Sequence, residues 1–162
     1  TLLKAFNSFK ARLGVGNPYH LALVGPRGFG YEAIADEIAR SPYRSEIHVL
    51  GYVPEADIPY LLHAARALIH PSWVEGFGIP PIEAMACGCP VIASNAASLP
   101  EVLGTAALFF SPSESEQLAQ QMRRLVDDVS VQDELRRAGL ERAMLYTWAQ
   151  TAEQTLPVLT RW

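Results

Sequence analysis

Two glutamates and two glycines fall within one stretch, His70-Pro71-Ser72-Trp73-Val74-Glu75-Gly76-Phe77-Gly78-Ile79-Pro80-Pro81-Ile82-Glu83-Ala84-Met85-Ala86. The stretch leaves the carboxyl end of an apolar strand-like run and enters a helical pattern. Gly76 and Gly78 let backbone approach a ligand closely, and the amides here and in the first helical turn face one point. A diphosphate is the simplest anion for such a place. Glu83 is expected in the first turn, where the helix dipole favours an ionised carboxylate. A carboxylate there can accept two hydrogen bonds from a ribose diol. Glu75, ahead of the glycines, is expected to project from the loop toward whatever follows the diphosphate. A Gly-Phe-Gly turn before a helix is common, and a glutamate near a helix start is often only a dipole partner. These features alone leave a purely structural role open.

The elements that must position these residues are legible as short apolar runs alternating with helical patterns. Leu2, Leu3, Phe6, Phe9 and Leu13 recur at helical spacing, and Gly14 and Gly16 end that pattern. Leu21 to Val24 reads as a buried strand, followed by turn residues and by a helix marked by Ile34 and Ile38 that ends at Ser41-Pro42. Ile47 to Leu50, Ala67 to Ile69, Val91 to Ala93 and Ala107 to Phe110 are the further strands. Asp57 to Ala65 is a helix with Pro59 in its first turn, where a missing N–H costs little. Gly88 stops the helix that carries Glu83. Ser98 with Glu101, and Ser113 with Glu116, have the spacing of capping boxes. From Val131 to Trp162 the chain reads as helical, interrupted near Gly139 and Thr147 and bent at Pro157.

Strand and helix in alternation, with fully apolar strands, predict a parallel sheet covered on both faces. The expected fold is one α/β domain with a doubly wound, Rossmann-like sheet. Ligands of such sheets sit at the carboxyl ends of the strands. The chain has 162 residues, 49% of them apolar, enough for a real core and too apolar for a disordered tail. With 13 basic against 17 acidic residues, a nucleic-acid partner is not expected. No apolar run approaches the roughly 18 residues of a membrane span. Lys4, Lys10 and Arg12 lie among polar residues near the start, which does not read as a signal peptide. Cys87 and Cys89, one residue apart and without other cysteines, fit a reducing, cytoplasmic setting and a pair of small buried thiols. His63 and His70 are distant from them in sequence, so no metal site is expected.

The glutamate pair, with Gly-Phe-Gly after the first and Ala-Met-Ala-Cys-Gly after the second, resembles retaining glycosyltransferases of the GT-B fold. The group is the large family 4 type, also called glycosyltransferase group 1. Pro90-Val91-Ile92-Ala93-Ser94-Asn95, Leu99-Pro100-Glu101-Val102, Leu23-Val24-Gly25, Gly51-Tyr52-Val53 and the Trp148 region match as well. The resemblance covers nearly the whole chain, residues 1–162, as a nucleotide-sugar-binding C-terminal domain, one half of a GT-B fold. It implies that Glu83 binds the nucleotide ribose and that Glu75, the catalytic candidate, contacts donor-sugar hydroxyls near the reacting carbon. It assigns the amides of Phe77, Gly78 and Ile79 to the sugar and distal phosphate, and the backbone of Tyr52 and Val53 to the base. The donor is a nucleoside diphosphate sugar, GDP- or UDP-linked, and the family needs no metal or other cofactor.

The wording around Glu75, with Gly-Ile-Pro-Pro following, is most similar to bacterial members that use GDP-mannose in polysaccharide synthesis. Two departures from the family pattern stand out. Pro80 lacks the N–H that many members offer to a phosphate. The first strand, with its glycine-rich loop bearing an arginine and a lysine, has no counterpart ahead of Thr1, and neither has the N-terminal acceptor-binding domain. That domain is the implied partner, any contact with the inner face of the membrane would run through it, and the isolated chain is expected to be inactive. Arg27, in Gly25-Pro26-Arg27-Gly28-Phe29-Gly30, lies at a strand's carboxyl end within reach of a phosphate, although a solvated loop arginine is the plainer reading. The glycine order there does not match the dinucleotide fingerprint. His70 is expected to pack under the loop, and His20 and His48 to be structural. Rival readings are a non-catalytic module of this fold and a nucleotide-sugar epimerase domain; the latter is not expected to carry this glutamate pair.

Overall fold

The structure is a computed structural model and describes residues 1–28 and 30–160. Phe29, Arg161 and Trp162, which belong to two of the segments read above, lie outside the described residues. The chain runs α1 (Leu2–Leu13), β1 (Leu21–Val24), α2 (Tyr31–Arg40), β2 (Ile47–Gly51), α3 (Ile58–Ala64), β3 (Leu68–His70) and α4 (Ile79–Ala86). It continues through β4 (Val91–Ser94), α5 (Leu99–Leu103), β5 (Ala107–Phe110), α6 (Ser115–Asp127), α7 (Val129–Ala143) and α8 (Trp148–Leu159).

Every strand pair is parallel, as strands joined by helical crossovers must be. The ladder is not one continuous sheet among the described residues: β1 pairs with β2, and β3, β4 and β5 form a second group with β4 in the centre. All four residues of β4 are buried. Alternate residues feed opposite layers, as the pleat requires. Ile92 joins Phe6, Phe9, Leu118, Met122 and Leu125 from α1 and α6, together with Leu21 and Ile47 of the other strand group. Val91 and Ala93 instead pack with Ile82, Met85, Leu99 and Leu103 from α4 and α5. Helices therefore cover both faces of the central strand, which is the doubly wound arrangement. The expectation of strands fully covered on both faces fails at the other group. Val24, Val49 and Leu50 are exposed, and α2 buries no residue.

Three sequence expectations are corrected. Ser98 has helical φ and ψ and makes no capping bond; its hydroxyl is used elsewhere. Ser113 shares a hydrogen bond with Ser111, and Glu116 accepts one from Ser8 and pairs with Arg12, so its carboxylate ties α6 to α1 rather than capping α6. The capping box forms instead at Thr147 and Gln150, at the start of α8. Gly139 does not interrupt α7: a Cβ there would stand 3.2 Å from Met85 Cγ, so the missing side chain lets α7 lie close against α4. Helix α8 runs on through Pro157.

Lys10 is a fully buried cation on α1. Its ammonium donates to Asn17 Oδ1 and, at 2.8 Å, to the Tyr19 carbonyl, and it pairs with Glu46. It thereby fastens α1 to the entries of β1 and β2. Lys10→Met leaves the Tyr19 carbonyl without its donor and Glu46 Oε2, a buried oxygen with no hydrogen-bond partner, without its cation. The expected loss is about 3–5 kcal/mol, the cost of breaking a buried ion pair by removing one partner. A urea midpoint indistinguishable from that of the parent chain would refute it.

Candidate functional site

The site is built at the carboxyl end of β3. His70 ends that strand, in register with Ala93 of β4, and the chain then turns through residues 71–78 into α4. Three side chains outside the loop hold it. Ser94, the last residue of β4, donates to the Ser72 carbonyl, and Ser98 donates to the Glu75 carbonyl at 2.9 Å. Tyr146 packs edge-on against the Phe77 ring, with centroids 5.2 Å apart. Tyr146 is itself held by its hydroxyl on the Val102 carbonyl and by the Arg142 guanidinium, which also caps the end of α5 through Glu101 and Val102. Sequence reasoning missed Ser94, Ser98 and Tyr146. Ser98 carried a signal, a small hydroxyl next to an apolar helix start, but the capping pattern absorbed it.

Gly78 has φ of 101° and forms the N-terminal cap of α4. Of the first helical residues, Ile79 has an amide the helix itself cannot use, while Pro80 and Pro81 have none. The backbone donors available to an anion therefore shrink to the end of the loop and Ile79. Gly76 has an ordinary φ and nothing within 4 Å of where a Cβ would stand, so the surface beside Glu75 is open.

Glu75 is partly exposed, and its Oε2 lies 3.0 Å from His70 Nε2. That bond is the main reason the carboxyl is held below the ordinary carboxylate range, with help from the nearby imidazole charge and the amides of Phe77 and Gly76. Burial acts in the opposite direction and loses. A depressed carboxyl contributes to folding above its unfolded-state value, and that contribution fades as pH falls through the lowered one. Glu75 is thus an anion at neutral pH.

Glu83 lies in the second turn of α4, not the first, because the helix begins at Ile79. The dipole argument for its charge is correspondingly weaker. It is exposed, on the same helix face as Ile79, four residues before it. The fold therefore brings Glu75, Gly76, Phe77, Gly78, Ile79 and Glu83 onto one strand–loop–helix unit. Tyr52 and Val53 follow β2, Tyr52 exposed and Val53 half-buried. Arg27 follows β1, exposed and stacked 4.8 Å over the Tyr31 ring. The two loops are joined by a bond from the Gly25 amide to the Gly51 carbonyl at 2.8 Å. Among the described residues, no hydrogen bond or ring contact links Tyr52, Val53 or Arg27 to the Glu75–Glu83 unit.

Cys87 and Cys89 are both free at the end of α4; Cys89 is buried, and burial pushes its thiol up to about 11, whereas Cys87 is only half-buried. Among the described residues no helix is long and apolar enough to cross a membrane.

Comparison with known proteins places this geometry. The chain is 38% identical over 138 residues to the O-antigen chain mannosyltransferase B of Escherichia coli, covering 85% of this chain and 36% of that protein. It is 34% identical over 116 residues to the MMP alpha-(1->4)-mannosyltransferase of Mycolicibacterium hassiacum, covering 69% of this chain and 28% of the relative. The chain thus spans about a third of the length of these relatives. Among solved structures, Anabaena HepE in complex with UDP and glucose superposes with a TM-score of 0.87 at 25% identity, over 99% of this chain and 44% of HepE. The C-terminal domain of the Francisella tularensis group 1 protein LpcC shares the fold, with a TM-score of 0.74 at 23% identity, over 88% of this chain and 75% of that one. The family model for glycosyl transferases group 1 matches residues 1–142, the span that holds β1 to β5 and the whole glutamate unit, and the chain belongs to that family.

Proposed function

We propose that this domain binds the donor of a retaining glycosyltransferase that moves mannose from GDP-mannose to an acceptor hydroxyl in polysaccharide synthesis. A UDP-sugar is the second choice of donor. The observation that carries the reading is the placement of an ionised Glu75, anchored at both backbone and carboxylate, on the same strand–loop–helix unit as the exposed Glu83. The mannosyltransferase names of the relatives support the sugar, and UDP with glucose in HepE supports a nucleotide-linked donor.

In this reading Glu83 accepts the ribose diol, and Glu75 accepts donor-sugar hydroxyls. The amides of Phe77, Gly78 and Ile79 meet the sugar and the distal phosphate, Arg27 reaches the diphosphate, and the backbone of Tyr52 and Val53 meets the base. The protein's share of catalysis is electrostatic, stabilising charge as it grows on the leaving diphosphate. That phosphate takes the acceptor proton on the face it leaves, which retains the anomeric configuration. No metal takes part. The acceptor is held by a second, acceptor-binding domain, through which any contact with the inner membrane face would run.

The test is nucleotide binding. One hydrogen bond to a charged group is worth about 1.5–3 kcal/mol, so Glu83→Ala is expected to weaken GDP or UDP at least tenfold. The exposed position of Glu83 makes a folding defect in that variant unexpected. Calorimetry with both nucleotides on parent and variant reads the difference, and equal affinities would remove Glu83 from the site.

A further inference from the structure

We propose that His70 is a positioning residue of the donor site, holding the Glu75 carboxylate where the donor sugar needs it through the bond between His70 Nε2 and Glu75 Oε2. The proposal rests on the reading of Glu75 as the sugar-facing carboxylate. Glu75 stands on an irregular loop, and its backbone is pinned at one point by the Ser98 hydroxyl. That leaves the side-chain torsions free. His70 removes this freedom from a firm base: it is the last residue of β3, its backbone in register with Ala93 of the buried central strand, and its ring is only 18% exposed.

The chemistry of the pair is suited to holding rather than to proton transfer. An ionised carboxylate has about four acceptor positions, so one N–H on Oε2 leaves room for sugar hydroxyls. The imidazole must present its hydrogen at Nε2, which the neutral Nε2–H form and the cation both do. The contact therefore survives a change in the ring's charge. A ring that merely filled space under the loop would need no nitrogen aimed at the carboxylate.

Two substitutions separate positioning from packing. His70→Leu keeps bulk and removes the donor; His70→Gln restores an N–H near the position of Nε2. In the complete enzyme, His70→Leu is expected to lower kcat at least tenfold with nucleoside diphosphate affinity within about twofold, and His70→Gln to recover most of the loss. In a Glu75→Ala background, His70→Leu is expected to cost nothing more. On the 162-residue chain, carbon-13 titration of the Glu75 carboxyl is expected to move up in His70→Leu and to stay low in His70→Gln. Parent-like kcat in His70→Leu, or equal losses in both variants, would overturn the proposal. So would an unmoved Glu75 titration. If Glu75→Ala itself leaves turnover intact, the reading of Glu75 fails, and the titration still decides whether the pair exists.

Discussion

Glu75→Gln in the complete enzyme is expected to lower kcat about 10²-fold, the size of losing one preorganised electrostatic contact to a transition state. The affinity for nucleoside diphosphate is expected to stay within about twofold. The asymmetry follows from where the group stands. Its carboxylate is held by His70 on the loop ahead of the α4 amides, and in the proposed reading it meets the donor sugar rather than the nucleotide. Interactions stronger in the transition state than in the ground state raise kcat, and contacts at the reacting sugar tighten as positive charge develops there. The substitution removes the charge and little else, since the amide oxygen can still accept from His70 and the shape is kept. Steady-state kinetics on the complete enzyme, beside calorimetry with GDP, tests both halves. Normal turnover with weakened nucleotide binding would reverse the roles given to Glu75 and Glu83.

What could be read from the sequence divides by the range of the interactions involved. Strands β1 to β5 fall within a residue or so of their apolar runs, because a buried strand announces itself by its own composition. Pro59 in the first turn of α3 follows local sterics and is equally legible. The failures come where a local pattern met a stronger distant partner. Ser98 has the spacing of a cap, yet its hydroxyl goes to the Glu75 carbonyl, 23 residues away. Gly139 has the look of a helix stop, yet close packing on Met85 decides its role. The split between the two strand groups depends on which strand edges meet, and no periodicity encodes that.

The site shows the same division. Its donors and carboxylates were legible because they lie within one stretch of the chain, from His70 to Glu83. Its supports were not. Ser94, Ser98 and Tyr146 reach the loop from β4, from the start of α5 and from just beyond α7, with Arg142 behind Tyr146, and only the fold brings them there. Even within the stretch, the helix start fixed at Gly78 moves Glu83 one turn further in than its distance from the glycines implied. His70 was legible as a residue under the loop but not as the partner of Glu75.

The two glycines of the loop look alike in sequence and are expected to behave oppositely. Gly78→Ala is expected to cost about 2–5 kcal/mol of stability, combining a positive φ that costs roughly 1–2 kcal/mol with overpacking of about 1–3 kcal/mol. The packing clash is specific: the new Cβ would stand 2.8 Å from Cδ2 of Leu99, a fully buried side chain at the start of α5. Leu99 cannot yield without disturbing the layer it shares with Ile82, Val91 and Leu103. The loop must shift instead, and since the new Cβ would also touch Glu75 Cγ at 3.9 Å, the carboxylate moves with it. Gly76→Ala has an ordinary φ and open space around it, so its stability is expected to stay within about 0.5 kcal/mol of the parent. If the donor lies there as proposed, a methyl group would occupy its surface, and weaker donor binding with an intact fold is the expected signature. Urea denaturation and donor titration on both variants separate the two roles. Equal stability losses would mean that the steric demand at Gly78 does not govern the loop, and tight donor binding by Gly76→Ala would place the donor elsewhere.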